Sequence, residues 1–199
     1  NFSEITESII VGENTFAYAY LKGLERAVQI GGDDAQIIEL DSGGGHEPEQ
    51  ISRFISNFDS NDAVLSSRFI NGGDDGYPFQ RQIASRAVTI MSNLFLGTNM
   101  SDAASGFQWF KGSTLREIFK VIPPEEWISA VHGPFHMYQT EMRAYLAWGE
   151  YKYVEVPISY GFEKIGKSLP TKYLFQNLVC FFRIYSEKSD RKRRLHNEK

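Results

Sequence analysis

The chain has 199 residues, of which 42% are hydrophobic and 23% are charged, and its formal net charge is −4. This composition is typical of one soluble globular domain, and a single cysteine, Cys180, excludes both a disulfide framework and a cysteine-based metal site. No apolar run approaches the roughly 20 residues that a membrane-spanning helix needs, and the N-terminus lacks the form of a signal peptide. We therefore expect a cytoplasmic protein.

The charge is unevenly distributed along the chain. Residues 183–199 include seven Lys or Arg against three acidic residues, which leaves a net charge of −8 on residues 1–182. We interpret residues 187–199 as a basic, disordered tail that follows a domain of residues 1–186. The acidic body and the lack of a recognised nucleic-acid motif argue against binding of nucleic acid.

The first half of the chain alternates between strand and helix patterns. A short strand is predicted at residues 8–11, and an amphipathic helix follows at residues 16–30. Buried strands are predicted at residues 35–40 and 63–65, with a helix over residues 49–58 between them. This alternation predicts an α/β fold with a largely parallel sheet that is covered by helices on both faces.

The end of the strand at residues 35–40 is the first candidate site. Asp41 follows the strand directly, and three glycines, His46 and Glu47 come after it. A carboxylate at the carboxyl end of a buried strand, followed by glycines that let a ligand approach the backbone, is typical of ligand sites in open α/β sheets. The alternative is that Asp41 hydrogen-bonds within its own glycine-rich turn.

Two further positions in the middle of the chain are candidates for binding. Arg81 lies in the first turn of a helix predicted at residues 79–96, where a positive side chain opposes the helix dipole. Its partner is therefore an anionic ligand or a nearby carboxylate, unless it is a plain surface arginine. Asp102 and Ser105 lie in a turn before the aromatic run at residues 107–110, where they cap the turn or face a ligand.

The last third of the chain combines a long loop with two helices. Residues 121–136 contain adjacent prolines and an exposed-looking Trp127 without a clear period, so we predict a flexible loop that covers an acceptor as a lid. A helix at residues 138–148 and a strand at residues 151–156 follow. The helix at residues 170–186 is apolar on nearly every side, which predicts that it packs on the sheet or lies at an interface.

Six segments, in their order along the chain, resemble the family-2 glycosyltransferases of the dolichyl-phosphate mannosyltransferase type. They are ELDSGGGHEPEQI, VLSSRFINGG, RQIASRAV, SDAASGFQWF, YQTEMRAYL and VEVPISY. The resemblance covers residues 14–172, and the order of the segments is more specific than any one of them. It implies a GT-A fold and an enzyme that transfers a sugar, with inversion, from a nucleotide-diphosphate donor to a polyprenyl phosphate or a saccharide.

The resemblance also implies a divalent metal. Asp41 matches the first aspartate of the family's Asp-x-Asp motif, which holds the metal on the donor diphosphate, and hard oxygen ligands suit Mg²⁺ or Mn²⁺. The second aspartate of that motif is Gly43 in this chain. We expect the loss of this carboxylate to weaken the metal site or to pass part of its work to His46, Glu47 or arginine side chains.

The remaining site residues are carried over in the same way. Arg68 and Arg81 match arginines that imply phosphate binding, because a guanidinium group binds phosphate through two parallel hydrogen bonds. Ser105 and Gly106 match the Ser-Gly-Phe motif that lies against the donor sugar.

Two acidic positions and an altered motif bear on the acceptor. Asp102 and Glu141 match acidic positions around the sugar and the acceptor, and we assign them as the catalytic residues. In a later basic motif, Glu163 and Leu169 replace an arginine and a lysine of the family. This change argues against a polyprenyl-phosphate acceptor, although two lysines stand nearby.

One family feature is absent from the N-terminal region. Members normally begin with a strand and an Asp-Asp-Gly-Ser motif that bind the base and the ribose, and neither precedes Ser8. We therefore expect an N-terminally incomplete domain that alone binds the donor poorly. The alternative function is a non-catalytic module of the same fold that binds sugar nucleotides or assists assembly. A nucleotidyltransferase is disfavoured, because no glycine-rich phosphate loop with Lys and Arg opens the chain.

The C-terminal region suggests contact with a membrane. The apolar helix at residues 170–186 runs into four consecutive basic residues at 191–194. Such a combination can rest on the inner, anionic face of a membrane without crossing it. The alternative is that the helix covers one face of the sheet and the tail is disordered.

Overall fold

A computed structural model describes residues 15–40, 45–133, 137–161 and 171–197, with only the backbone described for residues 171–173. Its elements, in chain order, are α1 (Phe16–Gly31), β1 (Gln36–Glu39), α2 (Ile51–Ile55), β2 (Ala63–Ser67), β3 (Asp74–Asp75), α3 (Phe79–Met91), β4 (Gln108–Lys111), α4 (Gly112–Val121), α5 (Ile128–His132), α6 (Met137–Trp148), β5 (Tyr153–Pro157), β6 (Ser159–Tyr160) and α7 (Thr171–Asn197). Short 3₁₀ turns lie at Pro48–Gln50 and Pro124–Glu126, and a π-helical segment, Ser92–Leu96, extends α3. The strand predicted at residues 8–11 lies outside the described residues.

α1 forms almost where its sequence pattern predicts. The hydroxyl oxygen of Thr15 accepts a hydrogen bond from the N–H of Tyr18 at 3.2 Å, which satisfies one of the N–H groups left free at a helix start. Leu21 and Val28 recur at helical spacing and are buried, so this side of α1 faces the core. Gly32 ends the helix with a φ of 76°, a left-handed value that a residue with a Cβ rarely adopts.

The central sheet is mixed, with strand order β1, β4, β2, β5. β2 and β5 pair in parallel, whereas β4 runs antiparallel to both β1 and β2. The prediction of a largely parallel sheet therefore misses β4. If β4 ran parallel to β2, the chain would have to return to the end of the sheet where β2 begins before entering β4. Instead, residues 97–107 bring the chain into β4 beside the end of β2, where Leu65 pairs with Gln108.

Helices cover both faces of this sheet, as predicted. On one face, side chains such as Ile37, Leu65 and Phe110 belong to a large apolar core that includes buried residues of α1, α4, α6 and α7. On the other face, Trp109 packs with Phe54 of α2 in a smaller core. The mixed α/β architecture is consistent with the GT-A-type fold that the resemblance implies.

The segment from residue 121 to residue 133 is packed against the core. Trp127 is fully buried, its indole Nε1 donates a hydrogen bond to the carbonyl oxygen of Ile122 at 3.0 Å, and its ring meets Tyr145 edge-on at 4.7 Å between centroids. The prediction of an exposed Trp127 on a flexible lid is therefore wrong for these residues. Short 3₁₀ and helical turns leave no period to detect, although most of their apolar side chains are buried, with Val131 an exception at 55% exposed.

Residues 187–197, which we predicted to be disordered, continue α7 to Asn197. Arg191 is buried, lies 2.8 Å from the carboxylate of Glu187 and donates to Glu126 at 3.3 Å. Arg194 donates to the same Glu126 carboxylate at 2.7 Å. The prediction of a disordered tail is wrong for these residues, because ion pairs with a distant acidic side chain hold the helix in place.

The first half of α7 is apolar on two sides. Cys180, Phe181 and Ile184 are buried in the large core, whereas Leu174 and Phe175 are exposed. The helix thus packs on the domain and also presents a second apolar side. Among the described helices, none combines the length and the apolarity that crossing a membrane requires.

Candidate functional site

The candidate site lies at the edge of the sheet where β1, β2 and β5 end and β4 begins. Glu39 of β1 and Leu65 of β2 both lie opposite Gln108 of β4, and Ser66 pairs with Val156 of β5. The segment that follows β2 and the segment that precedes β4 therefore lie at the same end of the strands, which we call the strand edge. Open α/β sheets place their ligand sites at the carboxyl ends of strands.

Arg68 and Asp102 form a buried ion pair with two parallel hydrogen bonds across this edge. Nε of Arg68 donates to Oδ2 of Asp102 at 2.7 Å, and Nη2 donates to Oδ1 at 2.9 Å. The backbone N–H of Ala104 donates to the same Oδ1 at 3.1 Å. Asp102 is fully buried and Arg68 is 7% exposed. The structure thus brings two predicted site residues together, but their charged groups bind each other.

The electrostatics of the pair favour a charged Asp102. Burial raises the pKa of its carboxyl, but the hydrogen bonds and the positive charge of Arg68, together with the charge of Arg143, outweigh burial and hold this pKa below its usual range. A general base needs a lone pair directed at the substrate. In the described geometry, both oxygens of Asp102 instead accept hydrogen bonds within the protein, and the carboxylate positions Arg68. A catalytic role for Asp102 stays a prediction.

Arg143 of α6 connects the two segments from the side of the core. It donates to the carbonyl oxygen of Asp102 and, at 3.1 Å each, to the carbonyl oxygens of Ser66 and Ser105. Its guanidinium group is fully buried, burial lowers its pKa, and the Glu155 carboxylate lies 3.9 Å away. Arg143 therefore fixes the distance between the end of β2 and the loop before β4. Arg143 lies on the helix predicted at residues 138–148, and no local pattern indicated this role.

Ser105 and Gly106, which were predicted to lie against the donor sugar, are buried at the start of β4. The hydroxyl group of Ser105 hydrogen-bonds with that of Ser66. Ser66 also donates its backbone N–H to the carbonyl oxygen of Phe107 at 3.0 Å. These bonds align the two segments, while contact with a sugar stays a prediction.

Two carboxylates that the sequence analysis missed complete the cluster. Glu155 of β5 accepts the backbone N–H groups of Ser101 at 2.8 Å and Asp102 at 3.2 Å. Oδ1 of Asp75 lies 3.8 Å from Nη1 of Arg68, and Oδ2 of Asp75 has no hydrogen-bond partner among the described residues. An acidic residue within an otherwise apolar strand was the signal for Glu155. Asp75 gave no comparable signal.

Arg81 lies near the cluster, because its guanidinium group and that of Arg68 both lie close to the ring of Tyr77. The guanidinium carbon of Arg81 lies 4.1 Å from the centroid of the Tyr77 ring, and that of Arg68 lies 5.8 Å from the same centroid. Both distances fall within the range of a cation–π interaction. The two arginines that were predicted to bind phosphate therefore lie near one tyrosine, which places two positive charges on the same side of the site.

Glu141, the second predicted catalytic residue, faces α5. Its carboxylate accepts the backbone N–H groups of Ile128 at 3.0 Å and Ser129 at 2.8 Å, and it also accepts the hydroxyl group of Tyr145. The side chain is fully buried. These bonds satisfy N–H groups at the start of α5, which is the role of a capping residue. The described geometry thus accounts for Glu141 structurally, and its catalytic role stays a prediction.

Replacing Glu141 with glutamine is expected to change how stability depends on pH. Burial raises the pKa of this carboxyl despite the hydrogen bonds that lower it. A raised folded-state pKa gives a contribution that is fully present below the unfolded value of about 4.3 and is lost as pH rises through the folded pKa. Glutamine does not titrate, so the wild-type free energy of unfolding should fall relative to the variant across this window. Urea unfolding at a series of pH values measures it, and parallel pH profiles would contradict it.

The predicted metal ligands are only partly described. Asp41 lies outside the described residues. His46 is buried, and its ring lies 5.0 Å from the rings of both Phe107 and Tyr160. Within residues 15–40, 45–133, 137–161 and 174–197, no three His, Cys, Asp or Glu side chains are grouped so that they could hold a metal ion. The described residues therefore do not make a metal site by themselves, and Mg²⁺ or Mn²⁺ stays a prediction.

Two curated proteins are similar to most of this chain. An undecaprenyl-phosphate mannosyltransferase of Micrococcus luteus is 28% identical over 151 residues, which cover 75% of this chain and 58% of that protein. A polyprenol monophosphomannose synthase of Mycolicibacterium smegmatis is 27% identical over 152 residues, which cover 75% of this chain and 54% of that protein. No protein-family model matches the chain. The chain thus spans little more than half the length of these relatives, and their similarity confirms its resemblance to the prenyl-phosphate mannosyltransferases.

Proposed function

We propose that this chain is part of a glycosyltransferase that moves a sugar, with inversion, from a nucleotide-diphosphate donor to a polyprenyl phosphate. The observation that carries the proposal is the meeting of two separate motifs, VLSSRFINGG and SDAASGFQWF, at the carboxyl ends of the strands, through Ser66, Arg68, Asp102 and Ser105. The similarity to proteins named for mannosyl transfer to prenyl phosphates supports it. A saccharide acceptor is the second choice.

The positive side chains suggest how this edge would act on a diphosphate. Asp102 holds two nitrogens of Arg68 and thereby fixes the plane of its guanidinium group. A charge that is fixed before the reaction stabilises a leaving phosphate without reorganisation. Arg81, whose guanidinium carbon lies 4.1 Å from the centroid of the Tyr77 ring, adds a second positive charge. We propose that Ser105 and Gly106 face the sugar of the donor.

A divalent metal would complete this site near Asp41. When bound, Mg²⁺ or Mn²⁺ would neutralise charge on the donor diphosphate. Asp41 lies two residues after the end of β1 in the sequence and supplies a carboxylate, the kind of oxygen ligand that these ions prefer. His46 is the second residue that we propose as a ligand. The acceptor, being a lipid, would be reached at a membrane surface.

Replacing Asp41 with asparagine tests the proposal directly. Transfer to polyprenyl phosphate, measured with a panel of nucleotide sugars on the complete natural protein, should fall by about a hundredfold or more, the scale seen when one preorganised electrostatic contact is removed. Asp59→Asn is the matched control, because Asp59 is exposed before β2 at the opposite edge of the sheet. Equal transfer by both variants at saturating Mn²⁺ would contradict the role of Asp41.

One observation favours the alternative of a non-catalytic module that binds sugar nucleotides. Asp102 is fully buried and both of its oxygens accept hydrogen bonds, so no free base is present at this position in the described geometry. Such a module would bind a nucleotide sugar without turnover. Calorimetric titration of the complete protein, followed by an assay for released nucleotide diphosphate in the same samples, separates the two functions.

A further inference from the structure

α3 and its π-helical extension carry an exposed apolar stripe. Phe79, Ile83, Ile90 and Leu94 follow one another at spacings of four, seven and four residues, so they lie along one side of the helix. All four are exposed, and the side chain of Leu94 is 75% accessible. Single exposed apolar residues need no explanation, but a contiguous row of large ones marks an interaction surface.

The first half of α7 carries a second stripe of the same kind. Leu174, Phe175, Phe182 and Tyr185 are exposed, and Phe175 is 70% accessible. At about 100° per residue, they occupy one side of the helix, away from the side on which Cys180 is buried. The core-facing side of α7 is therefore already filled, and the side chains of this stripe stay at least 45% exposed in the part of the chain that the structure describes.

The two stripes meet at Phe95. Its ring centroid lies 6.2 Å from that of Phe182 and 5.6 Å from that of Tyr185, both in edge-on contacts. The ammonium group of Lys188 also donates to the carbonyl oxygen of Phe95 at 2.9 Å, which fixes the end of the π-helical segment on α7. The exposed apolar residues of 79–95 and 174–185 thus adjoin at Phe95, and we call them together the α3–α7 face.

The charges of these segments identify what can cover them. Residues 79–96 and 171–186 contain four basic residues and no Asp or Glu, within a chain whose net charge is −4. The basic residues are Arg81, Arg86, Lys172 and Arg183. A second copy of the chain that used the same face would bring like charges together. An anionic membrane surface matches both properties, because lipid tails receive apolar side chains and lipid phosphates attract the basic ones.

We infer that the α3–α7 face lies on the surface of an anionic lipid bilayer, with the apolar side chains at the level of the lipid head groups. The inference rests on the proposed function for the lipid acceptor and deepens it by naming the face that meets the bilayer. It also replaces residues 191–194 as the membrane contact. Arg191 and Arg194 pair with Glu126, and Arg193 pairs with Asp190 at the far end of α7.

Co-sedimentation with lipid vesicles tests this surface. The 199-residue chain should sediment with vesicles that mix phosphatidylcholine with phosphatidylglycerol, should do so less in high salt, and should stay in solution with phosphatidylcholine alone. The double variant Leu94→Glu/Phe175→Glu should bind roughly tenfold more weakly or worse. Ile55→Glu, at a side chain that is 57% exposed on α2, is the matched control and should bind like the wild type.

A second pair of variants separates the two basic regions. Arg86→Gln should weaken binding to the anionic vesicles, whereas Arg193→Gln should not. Circular dichroism checks that every variant is folded, and Phe79→Glu on α3 replaces the double variant if that one unfolds. Failure of the wild-type chain to sediment, or sedimentation of the double variant like the wild type, would overturn the inference. So would a dimer in sedimentation velocity that the double variant dissociates.

The vesicle experiment needs no donor, so its failure is distinct from failure of the proposed function. Transfer to a short-chain, soluble polyprenyl phosphate is measured in parallel on the complete protein. Transfer without vesicle binding refutes only the membrane contact of the α3–α7 face. Vesicle binding without transfer refutes only the proposed glycosyltransferase activity.

Discussion

Replacing Asp102 with alanine is expected to lower the free energy of unfolding by about 3–5 kcal/mol, the usual cost of removing one partner of a buried ion pair. The variant leaves the guanidinium group of Arg68 buried without its hydrogen-bonded partner, and it removes a negative charge near Arg143. Urea unfolding followed by circular dichroism measures the change. Asp33→Ala is the matched control, because Asp33 forms an exposed ion pair with Arg116 at 2.6 Å that should be worth less than about 1 kcal/mol.

The difference between wild type and Asp102→Ala should also depend on pH. The pKa of Asp102 is lowered in the folded protein, so its contribution is present above the unfolded value of about 3.9 and is lost as pH falls through the folded pKa. The two proteins should therefore approach each other in stability in strong acid. A loss no greater than that of Asp33→Ala at neutral pH would show that the pair does not stabilise this edge of the sheet.

Replacing Trp127 with alanine is expected to destabilise the domain by a similar amount, about 3–5 kcal/mol, because a fully buried aromatic side chain leaves a large cavity. The variant also removes the hydrogen bond to Ile122 and the edge-on contact with Tyr145. Urea unfolding measures the loss. Phe175→Ala, at a side chain that is mostly exposed, is the control and should change stability by less than about 0.5 kcal/mol.

The same variant distinguishes a structural anchor from a lid. A lid residue would leave the free energy of unfolding unchanged on truncation and would alter only the rate of transfer. Truncation of an anchor would instead lower the free energy of unfolding, and any change in the rate of transfer would follow from that loss. Unchanged stability of Trp127→Ala would therefore contradict the packing of residues 121–133 against α1 and α6.

Local patterns predicted most of the secondary structure. The apolar spacing in α1 and the strand pattern before Asp41 gave nearly the bounds that the structure shows, because one buried face imposes a period on the sequence. The antiparallel direction of β4 was missed, since strand direction depends on the path of residues 97–107 rather than on any period. Residues 121–133 were missed because their helical turns are shorter than the window in which a period can be recognised.

The site was predicted residue by residue but not as an arrangement. Arg68 and Asp102 were each selected, yet their pairing spans 34 positions and leaves no trace in local spacing. Arg143 was not selected, because a buried arginine on a helix looks like a surface residue until its neighbours are known. The basic residues at 191–194 were misread for a related reason. Their partner Glu126 lies 65 and 68 positions earlier in the chain, so a local charge count could not find it.

The contacts of Arg143 have a consequence for the order of folding. Its guanidinium group reaches carbonyl oxygens 77 and 38 positions earlier in the chain, at Ser66 and Ser105. Contacts at such separations form only once the intervening chain has been synthesised and its loops have closed, at a cost in chain entropy. A nascent chain that has not yet synthesised α6 lacks the side chain that joins the end of β2 to the loop before β4. Glu155, which also belongs to the cluster, lies on β5 and follows α6 in the chain, so the candidate site can be complete only after residue 155 has been synthesised.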